Sequence, residues 1–316
     1  MPQRNSGKTS GPSRVLINWS VYVAIRVVVC ILQAMPLEAC YAFARWLGWV
    51  GFRLDARHRK IALENLKHAF PDKTETERLE IVRRVYVHFT MLVMEIAHIP
   101  RRLRPETWRD SIVLRNQERV VELVVSGRPV ILLTAHFGNW EMAGYTMAVF
   151  GFRPHSVARA LDNPYIERLL RTFRTRTGQE IIYKRGAYDQ VAEVMRRGTM
   201  IGMLSDQDAG HRGVFVEFFG RPASSHKGVA LLALEHDAPI CVGFARRLQD
   251  KFRFEVWMER VLEPRDYRHL PDPVAAITQE CARAFESAIR TSPEQYLWLH
   301  RRWKHQPVPQ EEVKAA

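Results

Sequence analysis

The hydrophobic pattern changes character twice along the chain. Residues 15–35, VLINWSVYVAIRVVVCILQAM, are apolar with one charge, Arg26, and Pro36 closes them. A second apolar stretch, LEACYAFARWLGWVGFRL, follows at once and carries Trp46 and Trp49. From Ala56 to Pro100 the apolar positions recur every three or four residues. Thr74-x-x-Glu77 resembles a capping box, and Leu79, Val82, Val85, Phe89, Leu92, Val93 and Ile96 mark one face of a long helix. That helix is expected to end at Pro100, before the basic linker RRLRP.

From about residue 111 short β-rich runs alternate with helical stretches. SIVL, PVILLTA, HSVARA, EIIYK, TMIGMLS, VFVEFF, APICVGFARRL and RFEVWMERVLE are the expected strands. PVILLTA is apolar at nearly every position, as a strand covered on both faces should be. NQERVVELVVSG, EMAGYTMAVFG, NPYIERLLRTFRTRTG and AYDQVAEVMRRG are the intervening helices. DPVAAITQECARAFESAIRTSP and EQYLWLHRRWK are expected to close the domain as helices. The order implies an α/β fold, a mixed sheet flanked by helices, behind an N-terminal helical membrane-associated segment. The expected divisions are a disordered basic tail (1–14), apolar anchor helices (15–55), the main domain (56–306) and a loose tail (307–316). The main domain splits into a helical lead-in (56–110) and an α/β core (111–306).

The first apolar segment is long enough to span a bilayer, although a mid-helix Arg costs about 2.5–3.5 kcal/mol there. A buried helical hairpin, a single span and an in-plane helix pair remain open. No small-x-small cleavage site follows, which argues against a signal peptide. Basic residues flank both sides, and attachment is expected from the cytoplasmic side. The net charge of +13 points to an anionic partner: nucleic acid, anionic lipid or an acidic carrier protein. No nucleic-acid motif is present, and an apolar anchor fits poorly with one. The four cysteines are scattered without zinc spacing, as expected of buried thiols in a reducing compartment.

The chemistry gathers in VILLTAHFGNWEMAGY (130–145), where an apolar strand ends in His136. Loops at the carboxyl ends of strands are where α/β sheets carry function. Gly138 permits a tight turn, Asn139 is a good N-cap, and Glu141 lies in the first helical turn. Folded back, Glu141 would accept from one imidazole nitrogen and leave the other to take a proton from a substrate hydroxyl. The plainer alternative is a strand-end His beside a carboxylate that merely suits a helix start. Backbone amides after Asn139 are candidate oxyanion donors. Asp206 and Asp208 could bind a metal but lack a third ligand; Asp206 otherwise braces the His136 loop or acts directly. Neither a metal nor a cofactor is expected. Arg171, Arg174 and Arg176, and Arg301, Arg302 and Lys304 among Trp298 and Trp303, either form basic faces and helix-end packing or meet phosphates or an acidic carrier. Met142, Tyr145, Met147 and Phe150 could line an acyl groove, with ordinary core the better reading.

AHFGNWE resembles the H-x4-D/E motif of membrane-bound acyltransferases, and more specifically that of the lipid A biosynthesis acyltransferases. ALENLKHAFPD (62–72), LSDQDAGHRGVFVEFFGRPASSHKG (204–228) and PEQYLWLHRRWKHQP (293–307) resemble further blocks of that family in order. The resemblance runs from the apolar segment to Pro307. It implies a glycerolipid-acyltransferase-like fold at the cytoplasmic face of the bacterial inner membrane. It also implies transfer from an acyl-carrier-protein thioester to a hydroxyl of a phosphorylated glycolipid, a lipid A precursor. His136 would be the base, Glu141 its partner and Asp206 a required acid. Arg174 or Arg176 would represent the family's arginine block. Asn139, Arg174, Arg176, Arg301, Arg302 and Lys304 are the expected substrate contacts. The family is usually Thr-rich after Phe-Phe-Gly-x-x-Ala, where this chain has SSHKG, which bears on acceptor or donor preference. No Phe-Pro-Glu-Gly block is present, which argues against a lysophosphatidate enzyme. The alternatives are another acceptor (a phosphatidylinositol mannoside or a lysolipid), an acyl-coenzyme A donor, or a non-catalytic lipid-binding relative.

Overall fold

The computed structural model describes residues 12–176, 178–183 and 187–307. The expected loose segments fall mostly outside these, but Pro12 to Arg14 already form the start of the first helix. Helix α1 (Pro12–Ala34) leaves Leu16, Ile17, Trp19, Val27, Val28 and Ile31 exposed and is long and apolar enough to cross a membrane. It is therefore not half of a buried hairpin. Helix α2 (Leu37–Leu54) is two-faced. Leu37, Cys40, Tyr41, Ala44 and Gly48 are buried, while Phe43, Trp46, Trp49 and Leu54 are exposed. Of the four free cysteines, Cys30 on α1 is exposed, contrary to expectation, and the other three are buried.

Helix α3 (Ala56–Ala69) and helix α4 (Glu75–Arg102) complete the lead-in. The Thr74 hydroxyl accepts from the Glu77 amide at 3.2 Å, and the Glu77 carboxylate accepts from the Thr74 amide at 2.7 Å, so the capping box is formed. Helix α4 runs past Pro100 to Arg102, because a proline in the last turn removes only one bond near an end that frays anyway. Its buried face is not quite the expected one. Leu79 and Val93 are exposed, while His88 and Glu95 lie among the buried residues. Helix α2 lies on α4 at Gly48, where a Cβ would come within 2.6 Å of the Val87 Cα.

The α/β core follows as α5 (Trp108–Ser111), β1 (Ile112–Arg115), α6 (Glu118–Val125), β2 (Val130–Thr134), α7 (Trp140–Val149), β3 (His155–Ala158), α8 (Pro164–Thr175) and β4 (Glu180–Tyr183). It continues as α9 (Ala187–Arg196), β5 (Met200–Leu204), β6 (Val214–Phe218), β7 (Arg221–Ser225), α10 (Gly228–His236), β8 (Ile240–Arg247), β9 (Phe254–Leu262) and α11 (Pro273–Thr291). Seven strands form a mixed sheet in the order β1-β9-β8-β2-β5-β3-β4, antiparallel only between β8 and β9. Central β2 alternates its faces. Ile131 and Leu133 join the core beneath α9, α10 and α11, while Val130 and Leu132 face the side carrying α6.

Two expected elements are corrected. VFVEFF does not join the main sheet; β6 pairs only with β7 in a hairpin. Its two-residue turn, Phe219–Gly220, has φ of 51° and 72°, the primed geometry that matches strand twist. EQYLWLHRRWK is not a helix. After a single 3-10 turn (Pro293–Gln295) it runs as an irregular strap whose backbone groups bond to the loop after β2. Its local pattern loses to those long-range partners. Helix α10, apolar on every side, gave no period from which to be read.

The α2–α4 approach is tight enough to test. Gly48→Ala is expected to destabilise the protein by about 1–3 kcal/mol, because backbone rather than a flexible side chain must move. Thermal melting of the purified variant measures it; an unchanged midpoint would contradict the packing.

Candidate active site

The strand β2 ends at Thr134 between parallel β5 and β8, and the chain then makes a turn that other segments hold fast. Gly138 adopts φ of 61°, and a Cβ there would sit 2.1 Å from the Ala245 carbonyl oxygen. Only glycine permits that approach. The Asn139 amide donates to the Ala245 carbonyl (2.7 Å), and the Gly138 amide donates to the Gln295 carbonyl (2.9 Å). The Leu297 amide donates to the His136 carbonyl (3.1 Å), so the strap edges the turn like an extra strand. Phe137 is fully buried against Phe244 and Trp257.

His136 is gripped twice by one carboxylate. Its Nδ1 lies 2.7 Å from Asp206 Oδ1, and its backbone amide donates to Asp206 Oδ2 at 3.0 Å. The sheet register explains the meeting. Thr134 pairs with Leu204, and each strand places its functional residue two positions further on. Burial alone would push the imidazole pKa down, but the charge and hydrogen bond of Asp206 and the field of Glu141 outweigh it and raise it above 6.5. Burial pushes Asp206 the other way, and the imidazole and the amide still hold it below 3.8. With Nδ1–H given to Asp206, Nε2 is the nitrogen left to exchange a proton. Trp140 packs edge-on against the ring at 5.0 Å.

Glu141 is not the imidazole's partner. It forms an ion pair with Arg174 from α8, whose Nε donates to Oε2 at 3.1 Å. The cause is local. Asn139 caps α7 through the Met142 amide (2.9 Å), and the helix that starts at Trp140 presents Glu141 to Arg174. Asn139 is itself fully buried, so it serves as a frame residue rather than an exposed substrate contact.

Beneath the turn lies a buried polar network that the sequence reading missed. The Glu95 carboxylate, fully buried, is paired with Arg247 of β8 and accepts from the Tyr41 hydroxyl (3.1 Å) and the Asn139 amide group (2.9 Å). His88 Nε2 reaches the Gly138 carbonyl at 3.2 Å, and Gln295 exchanges two 3.0 Å bonds with the Arg247 backbone. The available signal was two polar residues, His88 and Glu95, spaced seven apart inside an apolar helical stripe.

The basic residues divide. Arg302 is buried, and its guanidinium donates to the Ser224 carbonyl and the Ser225 hydroxyl, each at 2.5 Å, so it ties the strap to β7 and is not a substrate contact. Trp298 and Trp303 are likewise buried. Arg176, Arg301 and Lys304 are exposed. Asn65 of α3 donates to the carbonyls of Trp298 (2.7 Å) and His300 (2.8 Å), and Phe70 packs on Phe219 and Trp298. Asp208 takes His305 Nδ1 at 2.6 Å. The blocks at 62–72, 204–228 and 293–307 therefore converge on the strap.

An apolar cavity of about 490 Å³ opens beside Trp140 on the α6 face of the sheet, within the size range of small-molecule sites. Its walls include Leu132, Gly202, Cys241, Met258, Val120 and Met147, with Thr134, Glu141 and Arg174 among its polar groups. Met147 and Phe150 line it, while Met142 and Tyr145 are core. Thr134 lines it too, and its hydroxyl oxygen is buried without a hydrogen-bond partner among the described residues.

Comparison with known proteins adds to this geometry. The family model described as bacterial lipid A biosynthesis acyltransferase matches residues 8–305. The lipid A biosynthesis lauroyltransferase of Escherichia coli (strain K12) is 26% identical over 296 residues, covering 92% of each chain. The lipid A biosynthesis palmitoleoyltransferase of the same organism is 26% identical over 301 residues, with 92% of each covered. The phosphatidylinositol mannoside acyltransferase of Mycolicibacterium smegmatis is 29% identical over 183 residues, 56% of this chain and 58% of its own. Among solved structures, the 1-acyl-sn-glycerophosphate acyltransferase of Thermotoga maritima aligns at a TM-score of 0.37 and 11% identity, covering 78% of this chain and 97% of its own.

The paired groups fix the sign of two pH effects. The His136 part of the stabilisation is present below 6.5 and lost as pH rises through its raised value; the Asp206 part is present above 3.8 and lost as pH falls through its depressed value. Asp206→Asn removes the larger opposing charge and leaves burial against the smaller field of Glu141. The His136 ring, titrated by NMR, is then expected to move from above 6.5 to below it; an unmoved midpoint would show that Asp206 does not set it.

Proposed function

The chain belongs to the bacterial lipid A biosynthesis acyltransferase family, and from that premise we propose that it transfers a fatty acyl chain from an acyl-carrier-protein thioester to a hydroxyl of a lipid A-type glycolipid. One observation carries the reading: an imidazole clamped by a buried carboxylate, touching the tryptophan that walls an acyl-sized apolar cavity. The acceptor hydroxyl gives its proton to His136 Nε2 as its oxygen attacks the thioester carbonyl carbon. Asp206 holds the Nδ1 proton and stabilises the imidazolium. Collapse of the tetrahedral intermediate breaks the carbon–sulfur bond, and the departing thiolate takes the proton back from His136. The proton account closes on one histidine, so the reading calls for no cofactor. In this mechanism Asp206 replaces Glu141 as the partner of the base. Glu141 and Arg174 form a neutralised pair at the polar end of the cavity.

Arg176, Arg301 and Lys304 are exposed cations suited to glycolipid phosphates or to the acidic carrier, in keeping with the net charge of +13. Helix α1 and the aromatic face of α2 supply apolar surface for attachment to the cytoplasmic side of the inner membrane. A second reading keeps the chemistry and changes the acceptor to a phosphatidylinositol mannoside, favoured by the partial match to such an enzyme.

His136→Ala is expected to lower turnover by about 10²–10⁴-fold in a chain that still folds, while Glu141→Gln costs less. Mass spectrometry of glycolipids from cells with and without the protein names both acceptor and chain; cells that show no missing acyl mass would sink the reading. Gly202→Val adds bulk to the cavity where a Cβ makes only ordinary contact, 3.4 Å from the Ser156 hydroxyl. It should shift the preferred donor to a shorter chain in a competition assay.

A further inference from the structure

The Thr134 hydroxyl oxygen is buried and, among the described residues, has no hydrogen-bond partner, on a residue that lines the mainly apolar cavity. Leaving a donor unsatisfied costs about 1–3 kcal/mol, and native proteins rarely tolerate it without a use. Its position suggests the use. Thr134 closes β2 two residues before His136, and it lines the cavity together with Trp140, whose ring packs on His136. Four backbone amides of the turn are already committed. His136 donates to Asp206, Gly138 to Gln295, Asn139 to Ala245, and Met142 to the Asn139 side chain.

We infer that the Thr134 hydroxyl is the hydrogen-bond donor for the thioester carbonyl oxygen as it becomes an oxyanion. This rests on the acyl-transfer reading. As the acceptor oxygen bonds to the carbonyl carbon, the carbonyl π pair moves onto oxygen, and the Thr134 side chain rotates about its Cα–Cβ bond to bring its O–H to it. The acceptor's proton goes to His136. When the intermediate collapses, the pair returns to the carbon–oxygen bond, the thiolate leaves with its electrons and the His136 proton, and Thr134 keeps its own hydrogen throughout. Apolar walls strengthen such a bond, because no water competes for either partner.

The test is steady-state kinetics and thermal melting of full-length Thr134→Val and Thr134→Ser in detergent, with an acyl-carrier-protein thioester as donor and a lipid A precursor as acceptor. Thr134→Val should lower kcat by about 10²–10³-fold, the size seen when an oxyanion donor is removed, with little change in KM. Its melting point should hold or rise, since an orphaned hydroxyl has been replaced by a methyl. Thr134→Ser should regain most of the lost rate. Wild-type kcat in Thr134→Val overturns the inference and assigns the oxyanion to the Trp140 and Glu141 amides. Equal losses in both variants with lowered melting points overturn it in favour of a packing role. Failure of the wild-type enzyme itself to transfer to any lipid acceptor falls on the acyl-transfer reading instead.

Discussion

The Glu95 carboxylate has no contact with water, and the site is built over it. An ion in that position loses several kcal/mol of hydration, so its neighbours are obliged to be cationic or to donate hydrogen bonds. Arg247, Tyr41 and Asn139 meet the obligation, and they come from β8, α2 and the start of α7. Net stabilisation from such a pair is small, because desolvation consumes most of the attraction. What it imposes is position. Any slip of α4 against β8, or of either against the turn, would strand a buried charge.

The turn above inherits that rigidity. Gly138 lies against the Ala245 backbone, the strap closes the open edge, and Asp206 reaches across from the neighbouring strand end. The imidazole is therefore held in one orientation and one tautomer. A catalytic group held by packed backbone and buried partners needs no rearrangement when substrate arrives, which is the main source of electrostatic catalysis. The pairing of Arg174 with Glu141 beside it keeps an unbalanced charge out of the cavity wall.

Much of this was legible in the chain. The strand into His136, the glycine turn, the Asn139 cap and the capping box of α4 are local patterns, and they appear where the residues put them. The partner of His136 was not local. A carboxylate five residues away competes poorly with one placed by parallel register some seventy residues on. The bracing role considered for Asp206 is visible in both its oxygens, one on the His136 amide and the other on the ring. Arg302 and the tryptophans beside it carry the composition of a basic, membrane-facing segment, yet the hairpin of β6 and β7 buries Arg302 through bonds that no nearby residue announces. The same holds for the strap. Its apolar and aromatic positions suit a helix, and its backbone groups were claimed by segments far away.

The strap also sets an order of events during synthesis. Asn65 and Trp298 are 233 residues apart, and the loop bearing His136 gains its edge only from Gln295 to Leu297. Domains assemble from the amino end as the chain emerges, and long-range contacts close last. Helix α1 is thus available long before the base is framed. A ribosome-bound chain that has already made His136 and Asp206 still lacks the edge that holds the imidazole until translation has passed the strap.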